Sequence, residues 1–267
     1  MKNSTATHAT SLIKALRVLL ALQEHPEGRG VTDLARQLGL PKSAVHRLLV
    51  TFQACGFVQQ QPQSSRYTLG LTLARLGLHA AEMLTPRRVA RPYLEALAHE
   101  VGETVFLGML HEASVLIVDK VEHGQVLRLS PTLGTLLPLR QTALGQVCLA
   151  GCLPAQRAAL LPTLVPANSV LPPERFLASL HQELATVAQQ GFAVSIETWM
   201  PELCCLAAPI RNSRQECVAA LAIALPRSHL PAAPRHDPFA GGGAALPYAP
   251  LLPALLRAAA QITAALP

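Results

Sequence analysis

The chain has 267 residues, half of them hydrophobic and 14% charged, enough for one large domain or two smaller ones. No apolar run reaches the ~18 residues of a membrane span, and the opening stretch MKNSTATHATS lacks the continuous apolar core of a secretory signal, so the sequence predicts a cytoplasmic protein with no membrane partner. The first 85 residues carry nine Lys/Arg against four Asp/Glu, five of the six net positive charges, which points to a polyanion met by the first part of the chain. Six cysteines without CxxC pairs at finger spacing predict reduced thiols rather than a disulfide framework or structural zinc, and no cofactor-binding motif is present.

Residues 10–24, TSLIKALRVLLALQE, repeat Leu12, Leu16, Leu19 and Leu20 at helical spacing, with Thr10 or Ser11 able to cap the start. The segment HPEG ends this helix. A second helix follows through Leu34, Ala35 and Leu38, its first amides offered the side-chain oxygen of Thr32. Gly39 supplies a sharp turn at low cost in positive φ, and Pro41 suits the head of the next helix, where its missing N–H had no partner. In that third helix, Val45, Leu48, Leu49 and Phe52 share one face. Lys42, Ser43, His46, Arg47 and Val50 lie on or near the other, a basic, hydrogen-bonding set of the kind a helix entering a DNA major groove requires. Phe57-Val58 and Tyr67-Thr68-Leu69 then flank the polar QQQPQSSR, read as a two-stranded wing with a disordered or mobile tip from which Arg66 could reach phosphates or a minor groove.

Residues 71–84, LTLARLGLHAAEML, read as a linker helix whose apolar surplus suggests packing against a partner chain. Pro86-Arg87-Arg88 interrupts it and marks a domain boundary. A helix from about Ala90 to Val101 opens the second domain. Strands are predicted at 104–110, 115–121 and 126–129, a punctuated loop at 131–138, helices at 142–153 and 173–190, and strands at 192–196, 204–210 and 217–225. Residues 226–253 hold seven prolines and a GGG run and predict a mobile segment before a final Ala/Leu-rich helix.

Taken in order, SLIKALRVLLAL, VTDLARQLGLPKSAVHRLLVTF, YTLGLTLARLG, ARPYLEALAHEVGETVFLGML, PLRQTALGQVCLA and CLAAPI resemble the IclR family of bacterial transcription regulators over nearly the whole chain. The resemblance implies an α+β protein: a winged helix-turn-helix at 10–70, a linker and dimerisation helix at 71–88, and a GAF-like α/β effector-binding domain at 89–266 with a mobile loop at 226–250. It implies homodimers, often paired into tetramers, on near-palindromic double-stranded DNA operators, and control of a catabolic operon by a small organic acid. The implied DNA contacts are Lys42, Ser43, His46 and Arg47, with Thr32, Arg36 and Arg66 nearer phosphates. Where the family usually has Ser-Thr, this chain has Ser43-Ala44, which loses one hydroxyl.

The resemblance places an effector pocket at Leu133, Gly134, Thr135, Ser195, Cys205, Ala222 and Ala224. Relatives that bind small oxo-acids tend to have an acid at the place of Ser195 and hydroxyls at those of Ala222 and Ala224. Losing them removes partners for a polar ligand, and burying an unpaired carboxylate is costly. The pocket therefore either takes a larger or less polar ligand, such as an aromatic acid, or is filled by its own side chains. Glu202 stands where the family usually has Gly, so a backbone needing positive φ would be strained there. Gln146 replaces a usual Lys and retains the ability to bond a carbonyl.

Two rival readings use the cysteines. In one, Cys205 with His181 or His229 acts as nucleophile and base of a hydrolase, although no third orienting partner is evident. In the other, Cys148, Cys152, Cys204 and Cys205 form a thiol or metal sensor on the same DNA-binding scaffold.

Overall fold

In the computed structural model, which describes residues 10–123, 131–230 and 248–267, the chain forms two compact units that divide between Met83 and Leu84. The first unit runs α1 (Thr10–Gln23), α2 (Val31–Leu38), α3 (Lys42–Ala54), β1 (Val58–Gln60), β2 (Tyr67–Leu69) and α4 (Leu71–Glu82). Its core joins Val18 and Leu22 of α1, Leu34 of α2 and Val45 and Leu49 of α3 to Val58 and Tyr67 of the wing. Gly39, at φ +64°, ends α2 in the left-handed conformation, and its amide bonds back to the last turn. Pro41 then stands just before α3, so the two helices meet through a three-residue turn.

Two local expectations change. Thr32 is not the cap of α2. The helix starts two residues earlier than a Thr32 cap would give, at Val31, with Gly30 in extended backbone at the cap position. The wing tip is also no loose end: the Gln61 amide donates to the Arg66 carbonyl (2.8 Å) and the Ser64 hydroxyl to Gln61 Oε1 (2.8 Å). These bonds satisfy backbone and side chains within the turn itself. None of α4 is buried, and Leu71, Leu76 and Leu78 on it, with Met83 just beyond, stand exposed.

The second unit runs α5 (Thr85–Val101), β3 (Thr104–His111), β4 (Ser114–Val121), β5 (Leu136–Pro138), α6 (Ala143–Gly151), α7 (Pro154–Leu160), α8 (Pro173–Gln190), β6 (Ala193–Ile196), β7 (Leu203–Arg211), β8 (Cys217–Pro226) and α9 (Leu252–Ala265). The strands form one sheet in the order β5-β4-β3-β8-β7-β6, every neighbouring pair antiparallel. Alternation along β8 sorts the two cores. Ala219, Leu221, Ile223 and Leu225 face the layer of α5 and α9, whereas Ala220, Ala222 and Ala224 face that of α6 and α8. The alanine face leaves volume on one side of the sheet, and the cavity described below lies there.

Helix α5 begins at Thr85, five residues before the expected start, because Pro86 is accommodated in its first turn. Its Arg91 reaches Asp119 of β4 (Nη1 to Oδ1, 2.9 Å), with Arg87 3.5 Å from the other carboxylate oxygen, so the acid buried in this sheet is paired. β5 lies inside the stretch expected to be a loop, pairing Leu137 with Val115. Of the segment expected to be mobile, Leu230 and Tyr248 are buried and a short 3-10 turn spans Arg227–His229. Residues 231–247 and the strand expected at 126–129 lie outside the described residues. Among the described residues, no helix is long and apolar enough to cross a membrane.

Candidate functional site

Helix α3 divides as its sequence requires. Val45 and Leu49 are fully buried, Leu48 and Phe52 pack partly against the same core, and Lys42, Ser43, His46, Arg47 and Val50 are exposed. Lys42, Ser43, His46 and Arg47 line one open concavity together with Val31 at the head of α2. Val31 escaped the sequence reading because it is apolar and contributes shape rather than a polar contact. Ala44 is half-buried. Thr32 and Arg36 are exposed on α2, Arg36 at 3.9 Å from Asp33, and Arg66 is exposed on the wing. Among the described residues, the basic candidates of this unit are free of tight ion pairs, as groups that meet phosphates or base edges need to be.

The second unit holds a small, partly open cavity of about 20 Å³ between the alanine face of the sheet, the head of α6 and the β6–β7 loop. Phe106, Cys205 and Ala222 form its floor, Thr142, Ala143 and Leu144 come from the α6 end, and Ser195, Trp199 and Met200 from β6 and the loop after it. Four polar or charged residues are buried among the described residues, and two of them, Thr142 and Ser195, line this cavity. Both serve the helix end. Thr142 Oγ1 accepts from the Gly145 amide (3.1 Å) and donates to the Pro138 carbonyl (2.8 Å), and Ser195 Oγ accepts from the Ala143 amide (3.2 Å). The Gln146 amide bonds the Thr142 carbonyl, which leaves the Leu144 N–H as the donor of that first turn without a partner among the described residues. The cavity thus has an apolar body and one end that carries a helix's partial positive charge.

Of the effector residues implied by resemblance, Ser195, Cys205 and Ala222 meet in this lining and four do not. Leu133, Gly134 and Thr135 form a turn with Gly134 at φ +83°, bonded to both sides of Ile117 in β4, and their side chains stay at the surface or half-buried. The Thr135 hydroxyl bonds the Thr132 amide instead of facing the cavity. Ala224 is buried on the same face as Ala222, outside the lining. Trp199, Met200 and Phe106 were missed, since an aromatic residue before a Pro-Glu turn carries no periodic signal. The departures at Glu202 and Gln146 have visible consequences. Glu202 sits at φ +61°, and Gln146 Nε2 donates to the Arg140 carbonyl (3.0 Å).

The rival readings find no support in the geometry. Burial pushes the Cys205 thiol up to about 12, with Cys204 adding to the shift and a bond from Ser195 opposing it, so it is a poor nucleophile. His229 is engaged with Glu103 (2.6 Å), and His181 is exposed on α8. Cys204 and Cys205 project to opposite faces of β7, with Cys204 in the core under α5 and α9, so the four proposed thiols do not converge. Among the described residues, no group of three His, Cys, Asp or Glu is placed to hold a metal.

Comparison with known proteins gives the same division of labour. Residues 11–62 match the IclR helix-turn-helix domain, and residues 79–237 match the bacterial transcriptional regulator IclR C-terminal domain. The HTH-type transcriptional regulator XynR of Escherichia coli is 30% identical over 221 residues, covering 80% of this chain and 84% of that protein. The glycerol operon regulatory protein of Streptomyces coelicolor is 33% identical over 225 residues, covering 82% and 85%. Among solved structures, an IclR transcriptional regulator from Alicyclobacillus acidocaldarius superposes with a TM-score of 0.74 at 25% identity, over 97% of this chain and 99% of that one. An IclR homologue from Microbacterium hydrocarbonoxydans, complexed with 4-hydroxybenzoate, shares the fold at a TM-score of 0.75 and 24% identity, over 96% and 99%. A helix-turn-helix with an exposed basic face on its third helix, a second unit with a small cavity and matches to both family domains make this chain a member of the IclR family of DNA-binding transcriptional regulators.

Proposed function

We propose that α3 reads an operator through Lys42, Ser43, His46 and Arg47, and that a small organic acid held in the cavity of the second unit controls that reading. The observation that carries the first half is the gathering of these four side chains on one open face, backed by Val45 and Leu49. Thr32, Arg36 and Arg66 add phosphate contacts that fix register. One helix reads only a few base pairs, so two copies are needed for a long site. The exposed leucines of α4, with Leu12, Leu16 and Leu20 of α1, offer apolar surface for pairing them on a near-palindromic operator. Such a protein works beside the chromosome, in the bacterial cytoplasm.

The second half rests on the lining. An acid's carboxylate finds the Leu144 N–H and the positive end of α6, while its carbon skeleton meets Phe106, Leu137, Leu203 and Ala222. Enrichment of bound duplexes from a random library tests the DNA half. The full chain is expected to yield one motif with two-fold symmetry, and the Lys42→Ala/Arg47→Ala double variant to enrich none. Equal enrichment by both proteins would move the reading surface away from α3.

A further inference from the structure

The cavity has room for a single water molecule, smaller than any organic acid, so some wall must move before a ligand enters. Its walls differ in how firmly they are held. The floor is paired on both sides: Ala222 lies opposite Phe106 on β3 and Ala207 on β7, and Cys205 opposite Ser195 and Ala224. The α6 end is fixed by Thr142 and Ser195. Among the described residues, Pro131 and Leu137 close a further side, and the β6–β7 loop, residues 197–202, closes another with Trp199 and Met200. Two of its residues, Glu197 at φ +53° and Glu202 at φ +61°, hold a left-handed backbone that suits glycine, so the loop's present shape is strained at both ends. A few hydrogen bonds hold it: Thr198 Oγ1 donates to the Gln141 carbonyl (2.6 Å), the Glu202 amide to Glu197 Oε1 (3.1 Å), the Arg227 amide to the Glu202 carbonyl (2.7 Å), the Glu197 amide to the Leu203 carbonyl (2.9 Å) and the Leu203 amide to the Met200 carbonyl (3.4 Å). Alanines at 220, 222 and 224 vacate volume above the sheet, and Trp199 packs against the cluster they belong to.

We propose that Trp199 determines which acids this cavity accepts. The strained loop lifts, a flat aryl carboxylate slides between the Trp199 ring and the Ala222 floor, and its carboxylate meets the Leu144 N–H. Trp199 then stacks on the ligand ring, a contact a compact oxo-acid cannot make. This rests on the reading of the cavity as the effector site, which supplies the carboxylate end, whereas the aryl preference belongs to Trp199.

Trp199 is the sole tryptophan of the chain, so the emission of the full-length protein reports this loop alone. Benzoate, cyclohexanecarboxylate and glyoxylate are the probes, with affinities measured in parallel by calorimetry. Benzoate is expected to shift Trp199 emission saturably and to bind at least tenfold tighter than either other acid. Trp199→Phe keeps that ratio and Trp199→Ala brings benzoate and cyclohexanecarboxylate within threefold of each other. The proposal is overturned if Trp199→Ala keeps the tenfold preference, if benzoate binds without moving the emission, or if none of the three acids binds. In that last case an enriched duplex motif would still uphold the DNA reading. Conversely, benzoate binding with all these signatures and no change in duplex affinity would uphold Trp199 and remove the effector role of the cavity.

Discussion

The exposed basic face of α3 and the cavity under α6 are built on opposite plans. The face is local: four polar side chains within six residues of one helix, presented outward because Val45 and Leu49 are anchored inward. The cavity is assembled from segments far apart in the chain, β3, the head of α6, the β6–β7 loop and β8, and its two buried hydroxyls are spent on the helix end. Among the described residues the α3 face keeps its donors out of tight ion pairs, which leaves them available to a polyanion. A small apolar cavity satisfies its donors internally and leaves little for a ligand beyond shape, one amide and a helix dipole.

The largest effect is expected at the anchor of α3. Leu49→Ala should destabilise the first unit by about 2–5 kcal/mol, since it hollows the core that orients α3. Denaturant unfolding checks this, and the second unit's transition should stay in place. The corresponding lesion in the second unit is Gly145→Ala. A Cβ there would lie 2.2 Å from the Leu139 carbonyl oxygen, a backbone atom that cannot step aside. The expected cost is about 3 kcal/mol to that unit, together with loss of benzoate binding and unchanged stability of the first.

Arg47→Ala sharpens the contrast without unfolding anything. It should weaken operator binding by about 1–3 kcal/mol and relax specificity at one base pair per half-site if the contact is bidentate to guanine. Uniform weakening across sequences would make Arg47 a phosphate contact. Calorimetry with benzoate should show no change in the variant. The smallest effect is expected at Gly77 of α4, where an added Cβ meets nothing within 4 Å. Gly77→Ala should raise stability by about 0.5–1 kcal/mol through helix propensity, and a larger loss instead would indicate that a partner chain packs on that glycine.

The two plans also explain what the sequence disclosed. Position on α3 follows from a 3.6-residue period, so the buried and exposed sets came out as predicted, as did the span of α8 and the strands flanking the alanine face. The cavity depended on which strands become neighbours, and no period encodes that. Resemblance placed Ser195, Cys205 and Ala222 in the lining, yet put the turn at Leu133, Gly134 and Thr135 there, although its bonds to Ile117 hold it against β4. Trp199 was invisible for a related reason. Its loop is shaped by two left-handed glutamates, and nothing in ETWMPE announces that it folds over an alanine floor. Glu202 was the available clue, a charged residue at a position that prefers glycine.

In the proposed mechanism the cavity governs DNA binding by α3. The direct measurement is the affinity of the full chain for its enriched duplex, at fixed salt, as benzoate is titrated. The account predicts a change of tenfold or more that saturates at the same benzoate concentration as the Trp199 emission. Duplex affinity that stays constant while the emission saturates would contradict it.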